Sequence, residues 1–145
     1  MIKVITSRKI IDLHPHTAKL CEAFLIACRH HEIEVIITCT YRDDEAQAEL
    51  YAQGRTKPGR IVTYAKPGQS MHNKRLAFDV VPLRAGKAVW GTQGEDLALW
   101  QKIGALGEAQ GLSWGGRWKH PDMPHFQDDT VKDFSDIEFL KEQAL

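Results

Sequence analysis

Asp79 stands between Phe78 and Val80 in the apolar run Leu76-Ala77-Phe78-Asp79-Val80-Val81, and no other feature constrains the fold as tightly. A carboxylate buried in a strand without a partner costs several kcal/mol, so a cation is expected beside it. Donors for one exist at His72, and at His125 in Asp122-Met123-Pro124-His125-Phe126. His72, Asp79 and His125 make a three-ligand set that leaves a tetrahedral Zn²⁺ one open position, as in catalytic rather than structural zinc sites. Asp122, three residues before the last ligand, is the natural proton-handling group. Taken singly, His72 also reads as a surface loop histidine, Asp79 as a residue flanking a turn and His125 as a hydrogen-bonded core imidazole. Their coincidence is what points to a metal. His14, His16, His30 and His31 flank the first helix and form no comparable set, while His120 is a candidate supporting group.

The rest of the composition narrows the class. The chain has 145 residues, 43% hydrophobic and 26% charged, the size and make-up of one soluble domain over 1–145. Nineteen basic residues balance nineteen acidic ones without a basic stripe, so nucleic acid is not an expected partner. Cys21, Cys28 and Cys39 include no CxxC pair and read as small buried hydrophobes folded in a reducing compartment. No apolar run of membrane-spanning length and no leader-like segment is visible, so synthesis in the cytoplasm without membrane insertion is expected.

Along the chain, apolar steps of three and four predict a helix from Pro15 to about His31. Glu34 to Thr40 reads as a strand that delivers Tyr41-Arg42. A second helix is capped by Asp43 or Asp44 and stops at Gly54. Residues 55–70, broken by Pro58, Gly59, Pro67 and Gly68, form a long loop of the kind that is usually functional or disordered. A strand from Leu76 to Leu83, a turn at Arg84-Ala85-Gly86-Lys87 and a short strand Ala88-Val89-Trp90 follow. Beyond them come a helix from about Glu95 to Gln110 closed by Gly111, strands at Leu112–Trp118 and His125–Gln127, and a terminal helix from Asp136 to Ala144. The fold class is α+β, one mostly antiparallel sheet flanked by helices. No separate second domain is expected.

Ser70-x-His72-x-x-x-x-Ala77-x-Asp79, Trp114-Gly115-Gly116-x-Trp118 and Asp122-x-Pro124-His125-Phe126 together resemble the zinc peptidases of peptidoglycan related to D-alanyl-D-alanine carboxypeptidases and the hedgehog signalling domain. Within that group the likeness is greatest to the L-alanyl-D-glutamate endopeptidases that bacteriophages use as endolysins. It extends upstream through Thr40-Tyr41-Arg42, Gln47, Leu50 to Gly59 and Ala65 to Ser70, covering roughly residues 35 to 127. The resemblance implies one Zn²⁺ per chain on His72, Asp79 and His125, Asp122 as the catalytic carboxylate, and Arg42 on the substrate carbonyl or carboxylate. It places Ser70 close to the metal and Gln47 among the substrate-binding residues. Two departures stand out: Gln127 where many relatives carry an acidic residue, and Lys119-His120-Pro121 where an aromatic-containing run is expected.

The mechanism that follows has Asp122 taking a proton from water and passing it to the leaving amine, while Arg42 stabilises the developing oxyanion or clamps a carboxylate. Without the family likeness Arg42 reads equally as a solvated strand-end arginine. The loop from Arg55 to Gly68 would wall one side of a groove, with Trp114 and Trp118 either walling the other or packing the core. The leading expectation is an endolysin that hydrolyses the L-alanyl-D-glutamate bond of stem peptides. It would act as a monomer, made in the host cytoplasm and reaching the periplasm through a holin-type pore. A zinc D,D- or L,D-carboxypeptidase and a non-catalytic wall-binding module are the alternatives.

Overall fold

A computed structural model describes residues 4–132. Five strands, β1 (Glu34–Cys39), β2 (Ala77–Arg84), β3 (Lys87–Ala88), β4 (Ser113–Trp114) and β5 (His125–Gln127), form one antiparallel sheet in the order β1-β2-β5-β4, with β3 paired to the end of β2. Three helices, α1 (Pro15–His30), α2 (Asp44–Ala52) and α3 (Gly94–Ala109), complete it, so the α+β expectation holds. The expected helix at Asp136–Ala144 lies outside the described residues.

Local chemistry explains most boundaries. Pro15 occupies the first turn of α1, where a missing N–H costs nothing. Asp43 caps α2, its side chain accepting from Ala46 N at 2.8 Å, and Gly54 follows the helix with φ +81°. Ala85 and Gly86, both at positive φ, give the tight turn that joins β2 to β3 with matching twist. The strand expected at Leu112–Trp118 ends at Trp114, and Gly115–Arg117 turn into a 3₁₀ helix. Crowding is the reason: a Cβ on Gly115 would sit 2.5 Å from Asp122 O, so the chain folds back on itself there.

The core lies between the sheet and α1 with α3. Phe24, Phe78 and Phe126 pack ring on ring, with centroids 4.8–5.8 Å apart. Gly104 and Gly107 let α3 lie directly on the rings of Trp114 and Phe126. Cys21 and Cys28 belong to this core, and burial pushes their thiols up to about 12 and about 11, as inert hydrophobes. Trp114 is core as well, its Nε1 donating to Met123 O at 2.8 Å. Because alternate residues of a strand face opposite sides, Phe78 and Val80 enter the core while Asp79 is turned away from it.

Asp128 ties the end of β5 to α1. Fully buried, it accepts from His16 Nδ1 at 2.7 Å, Thr17 Oγ1 at 2.9 Å, Thr130 Oγ1 at 2.6 Å and Thr130 N at 3.0 Å. Burial alone would raise its pKa, but these bonds outweigh it and hold the carboxyl below the usual range. A depressed folded-state value means that the stabilisation is present above the unfolded-state value of about 3.9 and is lost as pH falls through the lower folded value. Asp128→Asn is expected to cost about 1–3 kcal/mol in urea unfolding at neutral pH, with a gap from wild type that narrows in acid. A gap independent of pH would contradict the ionic account.

Candidate metal centre

Register builds the centre. Asp79 pairs with His125 of β5 on one side and with Cys39 of β1 on the other. His72 arrives from the turn before β2, the loop-then-strand arrangement expected from Pro67-Gly68. The outcome is convergence on one atom: His72 Nε2 lies 3.2 Å and His125 Nδ1 3.3 Å from Asp79 Oδ1.

The far side of each ring fixes its proton. His72 Nδ1 is 2.9 Å from Thr40 O, a carbonyl that only accepts, so Nδ1 carries the hydrogen and Nε2 presents its lone pair. His125 Nε2 is 2.8 Å from Gln127 Oε1, and the Gln127 amide is oriented by its own Nε2 donating to Asp129 Oδ1 at 2.8 Å. His125 therefore turns the Nδ1 lone pair toward Asp79. Three acceptors facing one another repel unless a cation or proton lies among them, and the outer bonds are those that orient metal-bound histidines. The pKa directions say that a proton is held there when no ion is. Burial alone would lower His72, but the Asp79 charge and hydrogen bond raise it to about 10; burial alone would raise Asp79, but His72 and His125 hold it far below the carboxylate range.

Among the described residues the group whose ligand atoms all lie within 4.8 Å of one another is Cys39, His72 and Asp79, without His125. Cys39 Sγ stands 3.6 Å from His72 Nδ1, the nitrogen committed to Thr40, so the thiol lies behind the imidazole rather than beside its lone pair. The site that fits a divalent ion is thus His72, Asp79 and His125, with neutral nitrogens and a carboxylate suited to zinc. Cys39 departs from the expected apolar setting, since Arg42 Nη2 also reaches its sulfur at 3.5 Å.

His72, Asp79 and His125 line a cavity of about 410 Å³ whose walls include Val62, Thr63 and Ala65 of the 55–70 loop together with Trp118 and Asp122. Trp118 is 42% exposed and lies against His125, while Ser70 lines the cavity and its Oγ accepts from His72 N at 3.2 Å. Asp122 makes no hydrogen bond or ion pair through its carboxylate among the described residues. Its pKa is raised, first by burial against the cavity walls and then by the Asp79 charge, while His125, His72 and Arg42 pull it back. Arg42 Nη2 stands 4.0 Å from Asp79 Oδ2, and its Nη1 donates to Gln47 Oε1 at 2.8 Å.

Two expectations change. Gln47 is fully buried behind Arg42 instead of lining the cavity, its Nε2 donating to Ala65 O at 2.7 Å. His120 supports no ligand and instead stacks on Tyr64 with centroids 5.8 Å apart. Gln127, Thr40 and Cys39 were not among the candidate residues. For Gln127 a signal existed, since a residue two positions after His125 on a strand shares its face.

Convergent lone pairs beneath an open cleft, with a spare carboxylate at its rim, are the chemistry of a metallopeptidase. The sequence profile of the D-alanyl-D-alanine carboxypeptidase family matches residues 63–128. The chain is 37% identical over 122 residues to the peptidoglycan L-alanyl-D-glutamate endopeptidase CwlK of Bacillus subtilis (strain 168), covering 80% of this chain and 73% of CwlK. The chain belongs to the peptidase M15 family of metallopeptidases. Solved folds agree. The Serratia marcescens L-Ala D-Glu endopeptidase ChiX superposes with a TM-score of 0.62 at 22% identity, covering 85% of this chain and 87% of ChiX. The vancomycin-resistance D,D-pentapeptidase VanY in complex with Zn(II) gives 0.62 at 15% identity, covering 99% and 90%.

Proposed function

We propose that this chain is a zinc-dependent peptidase that hydrolyses the L-alanyl-D-glutamate bond of peptidoglycan stem peptides, with one ion on His72, Asp79 and His125. The observation that carries it is the aim of two proton-fixed imidazoles at one carboxylate oxygen on the floor of an open cleft. The choice of bond is supported by the 37% identity to a relative named for it. Bound there, zinc supplies a Lewis acid that polarises a carbonyl and brings the pKa of water toward neutrality. Asp122, unpartnered at the rim, takes the proton of the attacking water and returns it to the leaving amine. Arg42, held by Gln47 in the cavity wall, supplies the guanidinium that stabilises the charge developing on the scissile carbonyl.

A carboxypeptidase trimming D-alanyl ends is the second reading, favoured by the description of the family. Among the cavity-lining residues Arg42 is the one fixed cation, and it already faces Asp79 and Gln47. Among the described residues no second cation lines the cavity to clamp a substrate's terminal carboxylate, which favours cleavage within a peptide. The lytic setting, a phage endolysin acting as a monomer and reaching the wall through a holin-type pore, rests on the likeness of residues 35 to 127 to such enzymes. Among the described residues no helix is long and apolar enough to cross a membrane.

Purified sacculi incubated with the protein should release peptides, stop doing so with a chelator and resume with added Zn²⁺. Release that ignores the chelator would count against the metal. Arg42→Lys keeps the charge but loses the planar fork, and should lower kcat/KM by about 10²-fold with zinc content intact. An unchanged rate would return Arg42 to a purely structural part.

A further inference from the structure

Residues 60–66 cross the wall of the cleft without helix, turn or bend, and no strand pairs with them among the described residues. In such an extended run, alternate residues direct their backbone groups to the same edge. One edge is taken by the protein itself. Thr63 O accepts from Arg55 Nη2 at 3.1 Å and Ala65 O from Gln47 Nε2 at 2.7 Å. The run is also braced at its start: Gln53 Nε2 donates to Arg60 O at 3.1 Å, and Gly54 admits the backbone of Ile61 so closely that a Cβ there would lie 2.8 Å from Ile61 N.

The other edge is open. Neither the N–H nor the C=O of Val62 or Tyr64 has a partner among the described residues. At Arg60 the same edge is bound by Gln53, so the open part begins at Val62, and the Tyr64 ring stacks on His120. Val62, Thr63 and Ala65 line the same cavity as the three ligands and Asp122. Gln47 joins the two parts, since one amide holds both Arg42 and Ala65.

We propose that Val62 and Tyr64 form a preset strand edge that binds the backbone of the substrate peptide, adding it as a further strand across the metal centre. Two residues of strand span about 7 Å, enough to hold the amides on either side of one scissile bond. Main-chain pairing of this kind holds the peptide through its amides rather than its side chains, and the bracing by Arg55, Gln47 and Gln53 removes the cost of ordering the edge at the moment of binding. The strand edge rests on the peptidase reading of the same cleft.

Two measurements test it on the zinc-loaded full chain with a synthetic L-alanyl-D-glutamyl stem peptide. Val62→Pro and Tyr64→Pro each delete one N–H that makes no bond among the described residues. Each should raise KM about 3- to 10-fold with kcat less affected and zinc content unchanged. Amide exchange followed by NMR on Asp122→Ala, which needs no change in the edge itself, should show the Val62 and Tyr64 amides slowed when the peptide is bound. Peptide bound with no slowing at these two amides overturns the edge and leaves the peptidase reading standing. A peptide that wild type neither binds nor cleaves overturns both.

Discussion

Replacing His125 by alanine is expected to yield a folded protein that has lost zinc and hydrolysis together. His125 contributes one of two lone pairs aimed at Asp79 Oδ1, and its removal leaves His72 and Asp79 as a two-point site. Loss of an outer hydrogen-bonding partner alone lowers metal affinity roughly 10- to 100-fold, so loss of a ligand should exceed that. Folding should survive, because the neighbouring Phe126 and Asp128, not His125, carry the packing and hydrogen bonds that seat β5. The check is zinc per chain by elemental analysis beside peptide release from sacculi. Wild-type zinc content in the variant would mean that a different donor set holds the ion, with Cys39 the first to test.

Asp122→Ala should behave in the opposite way, keeping its zinc while kcat falls by roughly 10²- to 10⁴-fold, the usual worth of a positioned general base. Asp122 is separate from the ligand cluster, it lines the same cavity, and its raised pKa marks a group whose charge the site does not neutralise. Metal content and turnover therefore come apart in this variant, whereas they fall together in His125→Ala. If Asp122→Ala cleaves at the wild-type rate, another group handles the proton and Asp122 is not the base.

Much of the centre was legible because it violates local rules. An aspartate inside an apolar strand demands a partner, and a histidine set between proline and phenylalanine in a second strand offers one. Helix ends were equally legible, since Pro15, Asp43, Gly54 and Gly111 act through short-range backbone chemistry. The misses share a physical cause, which is that contacts between distant segments leave no local pattern. Gln47 lies on a polar helix and gives no sign that its amide is enclosed between Arg42 and Ala65. His120 looks like a supporting group by its place in sequence, but the turn at Gly115–Arg117 carries it to Tyr64. Cys39 reads as a small hydrophobe until the bulge near the end of β1 sets it beside His72 and Arg42.

Mass spectrometry of the peptides released from purified sacculi identifies the bond that is cut. Hydrolysis at the L-alanyl-D-glutamate bond predicts fragments that begin with a new amino terminus on D-glutamate, leaving L-alanine on the glycan, and their disappearance in Asp122→Ala. Release of D-alanine alone, with the L-alanyl-D-glutamate bond intact, would contradict it and move the carboxypeptidase reading to the front.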